Sequence, residues 1–180
     1  MSGSPRARFV VGTGRCGSTL LSRMLAENPR VLNVFELFSG IDHFFRFRRD
    51  PVGGAELAAR LREDHPMLTM VLRRGHGVPE VVYPFGAPGA RYAAGDAIPW
   101  ALGIAIPRIT ETPDALFDEL LARVEALPTQ PLSTHYREIL DWLTRRLGRS
   151  SWIERSGTSI EFLSELDEFF PDARFVHLHR

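Results

Sequence analysis

The chain has 180 residues, 44% hydrophobic and 24% charged, and its 22 basic side chains balance its 22 acidic ones. This size predicts one ordinary globular domain, and the zero net charge gives no overall field to attract nucleic acid or an anionic membrane. With one cysteine, no signal-peptide core and no run of about 18 apolar residues, we expect a cytoplasmic protein without internal disulfides or a membrane span.

The N-terminal part of the chain predicts a strand, a helix and a second strand. Residues 8–12, RFVVG, are a β-branched run closed by glycine, which is typical of a buried strand. Apolar residues then recur at helical spacing over 18–28, and VLNVF at 31–35 predicts the next strand. This order predicts an α/β fold with a P-loop-like parallel sheet flanked by helices.

The middle of the chain is less regular than its two ends. A helix is predicted over 55–62, and 75–103 is rich in glycine, proline and aromatic residues, which indicates loops or a mobile cover. The later elements are three helices, over 112–124, 136–147 and 159–170, and two strands, over 151–154 and 174–178. Thr158 and Glu161 have the spacing of a capping box at the third of these helices.

The last predicted strand stands close to the end of the sequence. A strand of a parallel sheet needs cover on both faces, yet only two residues follow 174–178. We therefore expect either a further segment that this sequence lacks or an exposed sheet edge. The fold is expected to be incomplete and the chain truncated.

The turn between the first strand and the first helix predicts an anion-binding loop. Gly12, Gly14 and Gly17 allow sharp turns that point backbone N–H groups inward. The helix that follows adds its own unpaired N–H groups and the positive end of its dipole. Ser18 and Thr19 add hydroxyl donors at the same point.

The loop lacks the lysine of nucleotide-hydrolysing enzymes. Their pattern is G-x-x-x-x-G-K-[ST], and Ser18 stands here where the lysine would be. Because that lysine reaches the outer phosphates, hydrolysis of ATP or GTP fits poorly. Arg15 instead supplies a permanent cation whose forked donors suit phosphate or sulfate. The alternative is a glycine-rich turn that carries a surface arginine.

Residues 12–31, GTGRCGSTLLSRMLAENPRV, resemble the 5′-phosphosulfate loop of sulfotransferases that use 3′-phosphoadenosine 5′-phosphosulfate (PAPS). The closest forms are the bacterial and tyrosylprotein sulfotransferases. WIERSGTSIEFLSEL and FPDARFVHLHR resemble later blocks of the same family. The resemblance implies a single sulfotransferase-type domain over 1–180, with the loop region at 8–38, an acceptor or cover region at 39–130 and a 3′-phosphate side at 131–180.

The resemblance implies a role for each matching position, with PAPS as co-substrate and no metal. Arg15 matches the basic residue that contacts the transferred sulfuryl group and its leaving oxygen. Arg180 matches the arginine that grips the 3′-phosphate. Cys16 replaces the usual serine, and is either a plain small residue or a reactive thiol. The positions assigned to the cofactor are Gly14, Arg15, Cys16, Gly17, Ser18, Thr19 and Arg180.

Glu36 is the candidate general base. In tyrosylprotein sulfotransferases the base is a glutamate just after the second strand, and Glu36 has that place, 21 residues after Arg15. It also ends a β-run, so it should project at the carboxyl edge of the sheet, where ligands bind in open α/β folds. The alternative is a solvated glutamate at a strand end. The histidine used by cytosolic members falls on Gly157, and their lysine falls on Arg155, which we expect near the cofactor or the acceptor.

These observations predict transfer of a sulfuryl group to a hydroxyl or amine. The acceptor is a small molecule, peptide or carbohydrate that the sequence does not identify, and Asp42 and His43 could line its pocket. No nucleic-acid partner is expected. Two alternatives stay open: a P-loop kinase for a small molecule, which would need magnesium, and a non-catalytic module that binds PAPS or another nucleotide.

Overall fold

The computed structural model describes residues 7–157 and 159–179 and divides the chain into two compact units. One unit joins the segment up to Val52 with the segment from Thr129, and the other is Gly53–Pro128. The single domain predicted over 1–180 stays a prediction. Among the described residues, no helix is both long and apolar enough to cross a bilayer.

The helices of the described residues are mostly short. The α-helices are α1 (Ser18–Ala26), α2 (His43–Arg46), α3 (Gly54–Arg62), α4 (Pro66–Arg73), α5 (Pro113–Glu125), α6 (Leu132–Arg146) and α7 (Leu163–Phe169). Three 3-10 segments lie at Phe38–Gly40, Ile106–Arg108 and Ser159–Phe162, and a π-helical turn lies at Ala101–Ala105. The sequence missed α2 and α4 and placed the start of α6 four residues too late.

The first unit is built on a parallel sheet. Its strands are β1 (Arg8–Gly12), β2 (Val31–Phe35), β3 (Ser151–Arg155) and β4 (Arg174–Leu178). They stand in the order β2-β3-β1-β4, and each neighbouring pair is parallel. The carboxyl ends of the strands therefore meet at one edge, the usual place for ligands in such sheets.

Helices α1 and α6 cover opposite faces of this sheet. Asn33 on β2 bonds to the Ser22 carbonyl of α1 at 3.1 Å and is in register with Ile153 of β3. The next residue back on β3, Trp152, donates its indole N–H to Asp141 of α6 at 2.7 Å. Because successive residues of a strand point to opposite faces, the two helices lie on different sides. The predicted α/β class, a parallel sheet flanked by helices, is confirmed.

The bond between Trp152 and Asp141 makes a testable contribution to stability, since both residues are buried. Asp141→Ala leaves the indole N–H without its acceptor and should lower the free energy of unfolding by about 1–3 kcal/mol. Asp141→Asn keeps an acceptor oxygen and should lower the free energy of unfolding by a smaller amount. Urea denaturation followed by tryptophan fluorescence measures the stability of the two variants. If both lost the same free energy of unfolding, the hydrogen bond would not have this role.

The core of the sheet unit is an aromatic cluster around Phe9, which is fully buried. The centre of its ring lies 5.0 Å from the ring centre of Phe170, 5.6 Å from that of Phe175, 5.8 Å from that of Trp152 and 6.2 Å from that of Phe38. Such rings remove large apolar areas from water. Because Phe38 lies three residues after β2, the cluster also anchors the chain that leaves the carboxyl edge of the sheet.

The helix predicted over 18–28 forms as α1, but its apolar residues do not all face the sheet. Leu20 and Met24 are 64% and 63% exposed, whereas Ser18 and Ser22 are buried. The serines face the sheet because the groups beneath them are polar, Arg155 under Ser18 and Asn33 under Ser22.

The helix predicted over 159–170 is also divided. Residues Ser159–Phe162 form the 3-10 segment, and α7 begins only at Leu163. Thr158 of the expected capping box lies outside the described residues.

The second unit, Gly53–Pro128, contains α3, α4 and α5. Leu57 of α3 and Leu120 of α5 are buried in its core, as are Ile98 and Leu102. The glycine- and proline-rich stretch lacks regular structure until Pro99, as predicted, and then enters the buried π-helical turn.

Candidate functional site

The predicted anion-binding loop lies between the end of β1 and the start of α1. Gly14, Arg15 and Gly17 have φ angles of 76°, 54° and 89°. These left-handed residues turn the backbone tightly, and such turns point neighbouring N–H groups into a concavity that suits an anion. Helix α1 has no acidic residue in its first turn, so no nearby carboxylate of the helix opposes its positive dipole end.

Two side chains of the loop, Arg15 and Cys16, differ in their exposure to solvent. Arg15 is exposed, which leaves its guanidinium accessible to a bound anion. Cys16 is half-buried, and its Sγ lies so close to Gly12 that a Cβ added there would stand 2.7 Å away. The thiol therefore packs against the end of β1, which favours the small-residue interpretation of Cys16.

Glu36 follows directly after β2 and is only 8% exposed, so the alternative of a solvated strand-end glutamate is wrong. Its φ of 57° is left-handed, which is uncommon outside glycine. Two donors bond to its Oε2: the Ser39 hydroxyl at 2.5 Å and the Gly157 N–H at 2.9 Å. A Cβ on Gly157 would stand 2.9 Å from Glu36 Oε1, so a larger residue there would displace the Glu36 carboxylate.

Arg155, the last residue of β3, connects Glu36 to the loop. Its Nη1 pairs with the Glu36 carboxylate, and its Nη2 donates to Ser18 Oγ at 2.6 Å and to Thr19 Oγ1 at 3.1 Å. The guanidinium carbon also lies 4.4 Å from the centre of the Phe35 ring. One buried cation therefore contacts both the candidate base and the hydroxyls of the candidate anion site.

The register of the sheet explains why Arg155 and Glu36 lie next to each other. Phe35 of β2 is paired with Arg155 of β3, so Glu36 comes next to the end of β3. The Glu36 N–H donates to the Arg155 carbonyl at 2.7 Å and continues the ladder by one bond. The sequence placed Arg155 near the cofactor or the acceptor but missed its pairing with Glu36. That pairing depends on β3 inserting between β1 and β2, which local patterns do not reveal.

A second carboxyl group, Glu154, was also missed. It is fully buried, and its Oε1 accepts a 2.6 Å hydrogen bond from the Ser156 hydroxyl. Burial raises the pKa of Glu154 to about 8, and the negative charge of Glu36 acts in the same direction. A signal was present in the sequence, because Glu154 shares a strand face with Trp152, two residues earlier.

Three further residues were predicted to lie at the site: Asp42, His43 and Arg180. Asp42 caps α2, because its carboxylate accepts from the N–H groups of Phe44 and Phe45 at 3.0 and 3.1 Å. His43 is exposed and lines a cavity of about 270 Å³ beside α2. Arg180 lies outside the described residues.

Within residues 7–157 and 159–179, no group of three or more His, Cys, Asp or Glu side chains could hold a metal ion. The absence of a metal from the reaction stays a prediction. The site consists instead of a glycine loop, a helix N-terminus and the contacts between Arg155 and Glu36.

No protein-family model matches the chain, and no curated protein matches it significantly. A crystal structure of the sulfotransferase STF9 from Mycobacterium avium is similar over 99% of this chain, with 19% sequence identity and a TM-score of 0.41. This chain spans 44% of the length of that protein.

Proposed function

We propose that the chain transfers a sulfuryl group from PAPS to a hydroxyl or amine acceptor. The observation that carries the proposal is the Arg155 guanidinium, which contacts Ser18 and Thr19 at the start of α1 and Glu36 just after the neighbouring strand β2. The resemblance of residues 12–31 to a phosphosulfate loop supplies the identity of the anion.

The residues present fit a phosphosulfate group. The backbone N–H groups of the loop, from Gly14 to Gly17, and the N-terminus of α1 offer donors and a positive dipole end. Ser18 and Thr19 add hydroxyls, and exposed Arg15 adds a cation that can reach the leaving oxygen. PAPS would supply the sulfuryl group and a phosphate leaving group whose negative charge these donors stabilise.

Glu36 would remove the proton from the acceptor. The acceptor oxygen or nitrogen forms a bond to sulfur while the bond from sulfur to the 5′-phosphate oxygen breaks, and the acceptor proton passes to the Glu36 carboxylate. The contacts with Ser39, Gly157 and Arg155 fix the orientation of this carboxylate. The products are a sulfated acceptor, adenosine 3′,5′-bisphosphate and a proton on the enzyme.

Arg15 should contribute mainly to the transition state. Arg15→Ala removes a donor from the leaving oxygen and should lower kcat by about 10²–10³-fold. Arg15→Lys keeps the positive charge but loses the forked donors of the guanidinium. Its kcat should therefore lie between that of the native chain and that of Arg15→Ala. Steady-state kinetics with labelled PAPS measure these effects. A rate unchanged in Arg15→Ala would remove Arg15 from the site.

The direct test is transfer of labelled sulfate from PAPS to a set of phenols, alcohols, amines, peptides and carbohydrates. We expect transfer to at least one class, with the same rate in a chelator as in magnesium. Phosphate transfer from ATP that requires magnesium would support the kinase alternative instead. Tight binding of PAPS with no transfer to any acceptor would support the binding module.

A further inference from the structure

The turn that carries Glu36 is held by the end of β3. Glu36 has a left-handed φ of 57°, a conformation that residues other than glycine rarely adopt unless their surroundings impose it. The Glu36 N–H bonds to the Arg155 carbonyl at 2.7 Å. Two residues further on, the N–H of Phe38 lies near the Glu154 carboxyl group and interacts with its charge. Glu154 therefore lies close to the chain just after the turn, whereas Arg155 and Gly157 bond to Glu36 itself.

Glu154 has an unusual environment for a carboxyl group. It is completely buried, and among the described residues its Oε2 has no hydrogen-bond partner. Three charged side chains face it: Glu36 from the turn after β2, Arg155 from β3 and Arg46 from α2. The Arg155 guanidinium is already paired with Glu36, and Arg46 donates to the Ile41 carbonyl.

These surroundings favour the neutral acid over the carboxylate. A buried oxygen without a donor is tolerated better on a neutral carboxyl group than on an ionised one. The nearby Glu36 carboxylate adds repulsion to any charge on Glu154. In keeping with this geometry, burial raises the pKa of Glu154 to about 8.

We infer that Glu154 is a positioning residue for Glu36, carried as a neutral carboxylic acid that holds the strained turn after β2. Its ionisation at alkaline pH places a second negative charge beneath Glu36 and loosens the turn. The inference rests on the proposed function only for its effect on catalysis. The protonation state of Glu154 and its effect on stability can be measured without any substrate.

The first experiment uses the chain alone. The infrared band of a protonated carboxylic acid should be present at neutral pH, disappear as the pH rises through about 8, and be absent from Glu154→Gln. Glu27→Gln, a change at an exposed residue, should keep the band. A spectrum without this band at neutral pH would overturn the inference, whatever the chain catalyses.

The second measurement is the pH dependence of stability. Because the folded-state pKa is raised, the stability that the neutral acid contributes is complete below the ordinary carboxyl pKa and is lost as the pH rises through about 8. The urea midpoint of the native chain should therefore fall over this range relative to that of Glu154→Gln. Parallel curves for the two proteins would contradict a neutral Glu154.

The third measurement is kinetic and separates positioning from a purely structural role. Glu154→Gln keeps a neutral group of the same shape and should retain the neutral-pH rate while losing the fall in kcat above about pH 8. Glu154→Ala should lower kcat by about 10²-fold through misplacement of Glu36, with little change in the KM for PAPS. An alkaline fall in kcat that persists in Glu154→Gln would exclude the positioning role. Absence of all transfer, with the infrared band present, would refute the proposed function alone.

Discussion

Glu36→Gln is expected to lower kcat for sulfuryl transfer by about 10²–10⁴-fold, the usual contribution of a general base. The substitution keeps the size of the side chain and an oxygen that can accept from Ser39 and Gly157. It removes the group that takes the proton of the acceptor. Since Glu36 is not part of the loop, the affinity for adenosine 3′,5′-bisphosphate should stay close to that of the native chain.

The control for this variant is a glutamate outside the site. Glu168 is exposed and paired with Arg49, and Glu168→Gln should leave both rate and affinity unchanged. Calorimetric titration of the bisphosphate shows whether the Glu36 variant still has an intact loop. Unchanged turnover in Glu36→Gln would remove Glu36 as the base, whereas lost affinity would point to an effect on the loop.

Arg155→Met is expected to be among the most destabilising single changes in the sheet unit. The side chains of Arg155 and Glu36 are only 6% and 11% exposed. Without the guanidinium, a buried carboxylate loses its opposite charge, which typically lowers the free energy of unfolding by about 3–5 kcal/mol. Ser18 and Thr19 lose a hydrogen-bond partner in the same variant.

A double variant separates the charge effect from lost packing. In Arg155→Met with Glu36→Leu, no charge of the pair remains, and apolar replacement of a buried ion pair is often close to neutral. The double variant should therefore be more stable than Arg155→Met alone. Urea denaturation of the native chain, both single variants and the double variant gives the coupling energy. If the loss of stability in the double variant equalled the sum of the losses in the two single variants, Arg155 and Glu36 would not stabilise each other.

Local patterns in the sequence predicted the class of the fold. The β-branched runs at 8–12 and 31–35 became β1 and β2, and the glycine loop before α1 formed where expected. The segment over 159–170 was harder, because its apolar residues also fit a 3-10 segment followed by a short helix. The exposed apolar stripe of α1 escaped prediction because helical spacing does not reveal which face meets the sheet.

The candidate site was only partly predictable, because strand order decides which residues meet. Ser18, Thr19 and Glu36 could be named from motif and position, but nothing local indicated that β3 would insert between β1 and β2. That insertion brings Arg155 and Gly157 against the Glu36 carboxylate and puts Glu154 beneath the turn. The positive φ of Glu36 was equally hidden, since it results from those tertiary contacts.

The central proposition is that the loop binds the PAPS nucleotide through backbone N–H groups and Arg15, without lysine or metal. Calorimetric titration of adenosine 3′,5′-bisphosphate and of ATP, each with magnesium and with a chelator, tests it most directly. We expect tighter binding of the bisphosphate, unchanged by magnesium and weakened in Arg15→Ala. Tighter binding of ATP that disappears in the chelator would contradict the proposition.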